Sequence, residues 1–417
     1  MGLPKATLLI LALIAGLFAL ATVVEQSGNR LESRTRLRHL TFTLALGVYC
    51  SSWTFYGAVG SAARDGWSYL PIYLAPMTLL LFAPRFLRSL SEAVMQEQAS
   101  TVSDFIAARF GHDIGVARLV TIIALLGSIP YIALQLRSIG SAMAVVSGRH
   151  VEGSVMLGAA ILLALFAMLF GARRYELAGR SEGLVFAIGV DSLIKISALA
   201  VVALLAVAVM LGGGQTDLAR GWEVLARNFK PGNLSLDVGV IFLISAMVII
   251  ALPRQFYMGL VEARDPGDLP RARFGLAAYI GLMAVLVLPI TMAGASMLGD
   301  SVAPDLYVLQ LPAASGQMIV LAAALIGGVS AAASMAIVDT TALATMVSND
   351  LVLSSVLSGS RDSQSGEIGR RMLSIRRLSI AGIVFLALMW ALLVSPSDSL
   401  ASIGLMSFAA IAQFAPA

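Results

Sequence analysis

The sequence predicts an all-α polytopic membrane protein: two five-helix units of opposite orientation, preceded by one extra helix. Three observations lead there. The chain of 417 residues is 58% hydrophobic and only 12% charged, with a mean hydropathy of +0.88, which excludes an ordinary soluble domain. Apolar runs near the ~20 residues needed to cross a bilayer recur along its whole length. A longer polar stretch separates the sixth run from the seventh, leaving five runs on each side once the first is set apart. A unit of five helices reverses its orientation when repeated. That parity suits an inverted repeat with its binding site near mid-membrane, between the first helices of the two halves.

In order, the runs cover about 4–24, 38–62, 69–90, 115–147, 153–171, 182–211, 236–258, 273–298, 316–352, 374–394 and 398–417, eleven candidate spans. The fourth and ninth are too long for a straight crossing and call for tilt, a kink or an extension beyond the bilayer. The chain divides into an extra helix and basic loop (1–37), a first repeat (38–211), an outer loop (212–235) and a second repeat (236–417). The two halves share no convincing sequence identity, so the repeat rests on helix count. The last run ends at Gln413-Phe414-Ala415-Pro416-Ala417 with no polar tail, which reads as a truncation inside or just after a helix.

The first run ends in Ala19-Leu20-Ala21, a pattern that also fits a signal-peptidase site. Arginine placement argues for a retained helix with its N-terminus outside. The inner loops then hold Arg30, Arg34, Arg36 and Arg38; Arg85, Arg88, Arg109 and Arg118; Arg173, Arg174 and Arg180; Arg254, Arg264, Arg271 and Arg273; and Arg361, Arg370, Arg371, Arg376 and Arg377. The outer side holds only Lys5, Arg64, Arg149, Arg220, Arg227 and Lys230. A cleaved leader would invert this bias. The net charge of +4 is therefore a topology signal and does not call for nucleic acid. The single cysteine, Cys50, excludes an internal disulfide and a cysteine-cluster metal site. His39, His112 and His150 fall near separate helix ends, which argues against zinc.

The second run contains Gly47-Val48-Tyr49-Cys50-Ser51-Ser52-Trp53-Thr54-Phe55-Tyr56-Gly57-Ala58-Val59-Gly60. Its glycines permit close backbone approach, and its hydroxyls can satisfy carbonyls freed if the helix unwinds. It reads either as an interrupted helix at a solute or ion site or as a tightly packed interior helix. Its counterpart is the seventh run, with Ser245 and the helix-breaking Pro253. The polar stretch 89–118 reads as a short amphipathic element, with helix N-cap candidates in 100–106. The Ser- and Gly-rich stretch 354–369 reads as a connector.

Charges at bilayer depth are functional candidates by default. Asp191 and Lys195 are four apart on one helix face, able to neutralise each other as a structural pair or to act in gating or coupling. Arg137 lies about 15 Å deep at 1.5 Å per residue and must face protein or water, as a structural partner or a substrate contact. Tyr131 and Gln135, one turn apart, either line a cavity or bond neighbouring helices. In the ninth run, Ser330, Ser334, Thr340 and Thr341 accompany Asp339. Unpaired, Asp339 would carry a proton; paired with Arg137 or Lys195 it would stay ionised. No P-loop, nucleophile elbow or kinase signature occurs, so no enzymatic activity is expected of this chain.

Several stretches resemble the sodium/solute symporter family, and in particular the symporter-like membrane domain of CbrA-type bacterial sensor histidine kinases. They are Ser51-Ser52-Trp53-Thr54-Phe55-Tyr56-Gly57, Ile129-Pro130-Tyr131-Ile132-Ala133-Leu134-Gln135-Leu136, Asp191-Ser192-Leu193-Ile194-Lys195, Leu252-Pro253-Arg254-Gln255-Phe256 with Val261-Glu262, and Thr345-Met346-Val347-Ser348-Asn349-Asp350-Leu351. The resemblance implies a LeuT-type fold in a bacterial inner membrane, with further helices and kinase modules after Ala417. It places cation ligands on the second and ninth runs. The ion or coupling candidates are the carbonyls of Gly47 and Cys50, with Ser334, Asp339 and Thr340. Ser51, Ser52, Trp53, Tyr56, Tyr131 and Gln135 are the candidates for lining the solute cavity. Two departures weaken sodium binding. Met335 stands where the family has a hydroxyl, and a thioether is a poor ligand for a hard cation. Tyr49 stands where the proline symporter branch has an acid. A proton carried by Asp339 is the alternative coupling ion. The resemblance also suggests an amino acid, histidine in particular, as solute. The leading expectation is an ion-coupled solute transporter. The alternatives are a solute sensor signalling to a kinase and response regulator, and a structural anchor with vestigial sites.

Overall fold

A computed structural model describes residues 2–26, 35–171, 182–213, 215–353, 365–393 and 399–416. Arg30, Arg34, Arg173, Arg174, Arg180, Arg361 and the 354–364 part of the expected connector lie outside them. The described residues are helical throughout, with short turns between.

Helix α1 (Leu3–Gln26) packs along α9 (Glu182–Gly212). The second run is interrupted: α2 (Thr35–Ala45) passes into a 3₁₀ turn (Leu46–Tyr49), Cys50 is extended at φ −79°, ψ 102°, and a π-turn (Trp53–Gly57) leads into α3 (Ala58–Arg64). The third run bends at Ala83 between α4 (Pro71–Phe82) and α5 (Pro84–Gln96). In α5, Leu87, Ser91 and Val94 share one buried face. The amphipathic element therefore begins at Pro84, five residues before the polar stretch suggested. In α6 (Val102–Arg109) the Thr101 hydroxyl caps the helix by accepting from the Asp104 amide at 3.1 Å.

Helix α7 (Ile114–Ser147) carries Pro130 internally and stops at Gly148, whose φ of +66° suits glycine. Helix α8 (Glu152–Phe166) ends in a π-turn (Ala167–Gly171). The outer loop expected over 212–235 contains a helix, α10 (Gln215–Asn228), which packs on α13 (Asp268–Met297). Its buried Gly221 and Leu225 are four apart, a short stripe hidden among polar residues in the sequence. Helix α11 (Leu236–Ala251) bends by 47° into a segment ending at Val261, beginning with α12 (Pro253–Phe256). The Leu252 dihedrals (φ −59°, ψ 129°) and the missing Pro253 amide hydrogen make that break. After α13 come α14 (Tyr307–Ala314), α15 (Met318–Met346), α16 (Ser365–Leu393) and α17 (Leu400–Ala412).

Seven described helices are long and apolar enough to cross a bilayer, and the bent pair Leu236–Ala251 with Pro253–Val261 makes eight. The other three expected spans are built of shorter pieces: the broken α2–α3, the bent α4–α5, and α17. Large exposed apolar side chains such as Leu126, Leu193, Leu204, Leu243, Val285 and Phe385 cover the outside, as a lipid-facing wall requires. Helix α15 is the axis, packed against α9 and α7, and every residue from 327 to 346 is buried.

Candidate functional site

The broken α2–α3 segment faces α7, α9 and α15, and three polar groupings converge on it. The first is carried by α7. Ser51 Oγ and Tyr131 Oη share a hydrogen bond of 2.7 Å. The Ser52 amide (3.1 Å) and hydroxyl (2.7 Å) both donate to Gln135 Oε1. The break frees backbone donors, and α7 supplies acceptors one helical turn apart, which is why Tyr131 and Gln135 stand at that spacing. Gln135→Leu leaves two buried donors unsatisfied and is expected to cost about 1–3 kcal/mol, read as a lower detergent-solubilised unfolding midpoint.

The second grouping holds the break from the other side. Lys195 Nζ donates to the Cys50 carbonyl at 3.0 Å and lies 3.6 Å from Asp191 Oδ2. Ser330 Oγ donates to Asp191 Oδ1. All of these side chains are buried. An ammonium thus occupies the carbonyl offered at the helix break. Gly47 permits the approach, since a Cβ there would sit 2.7 Å from Ser192 Oγ. Of the other expected cation ligands, Gly47 and Ser334 are engaged elsewhere. The Gly47 carbonyl accepts from the Cys50 amide at 3.0 Å, and Ser334 Oγ donates to the Ser330 carbonyl at 3.1 Å. Thr340 Oγ1 is buried without a hydrogen-bond partner, and Met335 is fully buried.

The third grouping was not legible beforehand. Asp339 pairs with neither Arg137 nor Lys195: Arg254 Nη1 lies 3.6 Å from Asp339 Oδ2. The sequence places Arg254 in an inner loop, but the break at Leu252 turns it inward and both residues are fully buried. The Arg254 guanidinium lies over the Tyr131 ring, 4.6 Å from its centroid. Phe408 of α17 stacks beside Tyr131 (centroids 5.5 Å) and meets Trp53 edge-on (5.3 Å). The last run, expected as a candidate span, thus contributes a ring at the site. The signal for Arg254 was its position directly after Pro253; nothing local marked Phe408.

Arg137 is half-buried, with Nη1 lacking a hydrogen-bond partner. Tyr56 is not brought to this cluster: its hydroxyl donates to the Ala324 carbonyl at 3.3 Å and its ring packs against Gly328. Tyr49, at the position of the family acid, donates to the Ile72 carbonyl at 2.7 Å. The 100–104 stretch does more than cap α6. The Ser103 and Thr121 hydroxyls donate to Asp350 Oδ2 at 2.6 and 2.5 Å, docking α6 and α7 on the π-turn (Val347–Leu353) that follows α15.

At the opposite end, where α1 begins, Arg64 Nη2 donates to Asp305 Oδ1 at 2.9 Å, and the Leu400 amide donates to Asp305 Oδ2 at 3.3 Å. Burial pushes the Asp305 carboxyl up from its ordinary range, against the opposing pull of the Arg64 guanidinium. This cluster ties α3 to the start of α17, the helix that carries Phe408. Arg64→Ala leaves the buried Asp305 with the Leu400 amide as its donor and is expected to cost no more than about 3 kcal/mol. It should also speed alkylation of the buried Cys50 several-fold, and unchanged labelling would show that the contact does not restrain opening.

No family model and no curated protein sequence matches the chain. Among solved structures, a Na+-coupled sialic acid symporter in a substrate-bound outward-open state is similar over 96% of this chain and 84% of its own, with a TM-score of 0.66 and 13% identity. That likeness establishes the class: an all-α polytopic membrane protein of LeuT-type symporter fold.

Proposed function

We propose that this chain is the membrane domain of an ion-coupled transporter for a small organic solute, of the sodium/solute symporter type. The observation that carries the reading is the helix break at Cys50, fully buried and ringed by polar side chains from α7, α9, α12 and α15. Broken helices of this kind place backbone groups and dipole ends at mid-membrane, where substrates and coupling ions bind. The symporter of like fold is itself ion-coupled. The repeat boundaries 38–211 and 236–417, a bacterial inner-membrane location and a periplasmic N-terminus belong to the same proposal. So does an amino acid such as histidine as the solute.

The coupling ion of this reading is the proton. Lys195 holds the Cys50 carbonyl, Ser334 is turned to its own helix, and Met335 offers no hard oxygen. A cycling cation would have to displace a tethered ammonium, whereas Lys195 and Asp191 can pass a proton between them. The same tether favours a second reading: a domain whose resident cation never leaves binds solute without moving it, and signals to kinase modules and a response regulator. Counterflow separates the two. Proteoliposomes loaded with unlabelled amino acids should take up labelled ones by exchange; binding to the purified protein without exchange would leave the sensor.

A further inference from the structure

Arg254 and Asp339 form a buried ion pair whose hydrogen-bonding capacity is largely unspent, Asp339 facing the Ser128 hydroxyl and the Arg254 amide from beyond hydrogen-bond distance. A guanidinium carries five N–H donors, yet Nε, Nη1 and Nη2 of Arg254 have no hydrogen-bond partner among the described residues. Both Asp339 carboxylate oxygens also lack one, as do Thr340 Oγ1 and Gln255 Oε1, the neighbours of the pair in sequence. The 3.6 Å separation is too long for a hydrogen bond. The Arg64–Asp305 pair shows the contrast, closing to 2.9 Å where it serves only to join two segments. Buried polar groups are normally satisfied, and the exceptions call for an explanation.

Taking the transport reading above as its basis, we infer that Arg254 and Asp339 recognise a zwitterionic α-amino acid, its carboxylate on the guanidinium and its ammonium on Asp339. Charge balance selects that class. The pair is neutral, so a zwitterion leaves no net charge in the membrane interior, whereas a simple anion or a simple cation leaves one uncompensated. The planar guanidinium matches a carboxylate bidentately. The Tyr131 ring holds the guanidinium from one face, and the rings of Tyr131, Phe408 and Trp53 supply an apolar wall for the solute side chain. Phe408 reaches that wall from α17 through Tyr131 and Trp53. Asp339 is thereby a solute ligand and not the proton carrier, a role left to Lys195 and Asp191.

The test is binding to the purified full chain in detergent. The twenty standard L-amino acids are screened by thermal shift. The strongest binder is then titrated beside its decarboxylated amine and its deaminated acid. Both analogues should bind about 10- to 100-fold more weakly than the parent. Arg254→Gln should weaken the amino acid by a similar factor while barely changing the amine, and Asp339→Asn should weaken it while barely changing the deaminated acid. The double variant Arg254→Gln/Asp339→Asn leaves no unpaired buried charge and guards against misfolding of the single variants; it too should lose the amino acid. Unchanged amino-acid affinity in the folded double variant would make the pair a structural strut and overturn the inference. Exchange of an uncharged sugar, with no amino acid bound, would also overturn it and leave the transporter reading standing. Absence of both binding and exchange for every solute would overturn both.

Discussion

Replacing Lys195 by alanine should lower the unfolding free energy by about 3–5 kcal/mol, because Asp191 is then left charged and fully buried with only the Ser330 and Ser334 hydroxyls facing it. The Cys50 carbonyl loses its donor in the same step, so the helix break loosens as well. Two consequences are measurable: a large fall in the detergent-solubilised unfolding midpoint, and faster alkylation of Cys50, the only thiol in the chain. The double change Asp191→Asn/Lys195→Met should recover most of the stability, since neither charge remains, while transport stays abolished. Recovery of both would contradict a coupling role for the pair, and failure of the single variant to destabilise would show that water reaches Asp191.

Gly328→Leu should be the most disruptive change on α15. A Cβ at this position would lie 1.7 Å from Tyr56 Oη and 2.1 Å from its Cζ, and the tyrosine is itself buried. Overpacking a dense interior costs about 1–3 kcal/mol and occasionally more. With a rigid aromatic opposite the new side chain, the upper end of that range is expected. The readout is the yield of monodisperse protein and its unfolding midpoint. Gly328→Ala should show a smaller loss, and pairing it with Tyr56→Ala should restore part of it, because the clash is with that ring. A Gly328→Leu variant of ordinary stability would mean that the π-turn Trp53–Gly57 and α15 do not meet as described.

Much of this architecture follows from hydropathy alone. Spans such as Leu3–Gln26, Glu182–Gly212 and Met318–Val352 stand where the apolar runs predict them. The interruption near Cys50 is foreshadowed by Gly47 and the hydroxyls that follow it. The α10 helix was missed because it lies outside the bilayer run pattern and shows only a short buried stripe. The Asp191–Lys195 pairing was legible because both residues sit on one helix at a spacing of four. The Asp339 partner was not legible, because the pairing depends on how a break at Leu252 reorients Arg254, a tertiary matter on which local pattern is silent. Phe408 was hidden for the same reason: its role depends on α17 returning into the bundle beside Tyr131. Ser334 shows the limit from the other side, with the expected residue present but its hydroxyl bonded to its own helix.

We propose that the Lys195 ammonium takes the place of a coupling sodium, so that solute moves with protons. The most direct measurement is accumulation of labelled amino acid in proteoliposomes under an imposed pH gradient, with sodium or choline as the only other monovalent cation. Equal accumulation is expected with either cation, lost when a protonophore collapses the gradient. Accumulation that follows a sodium gradient and ignores pH would contradict it.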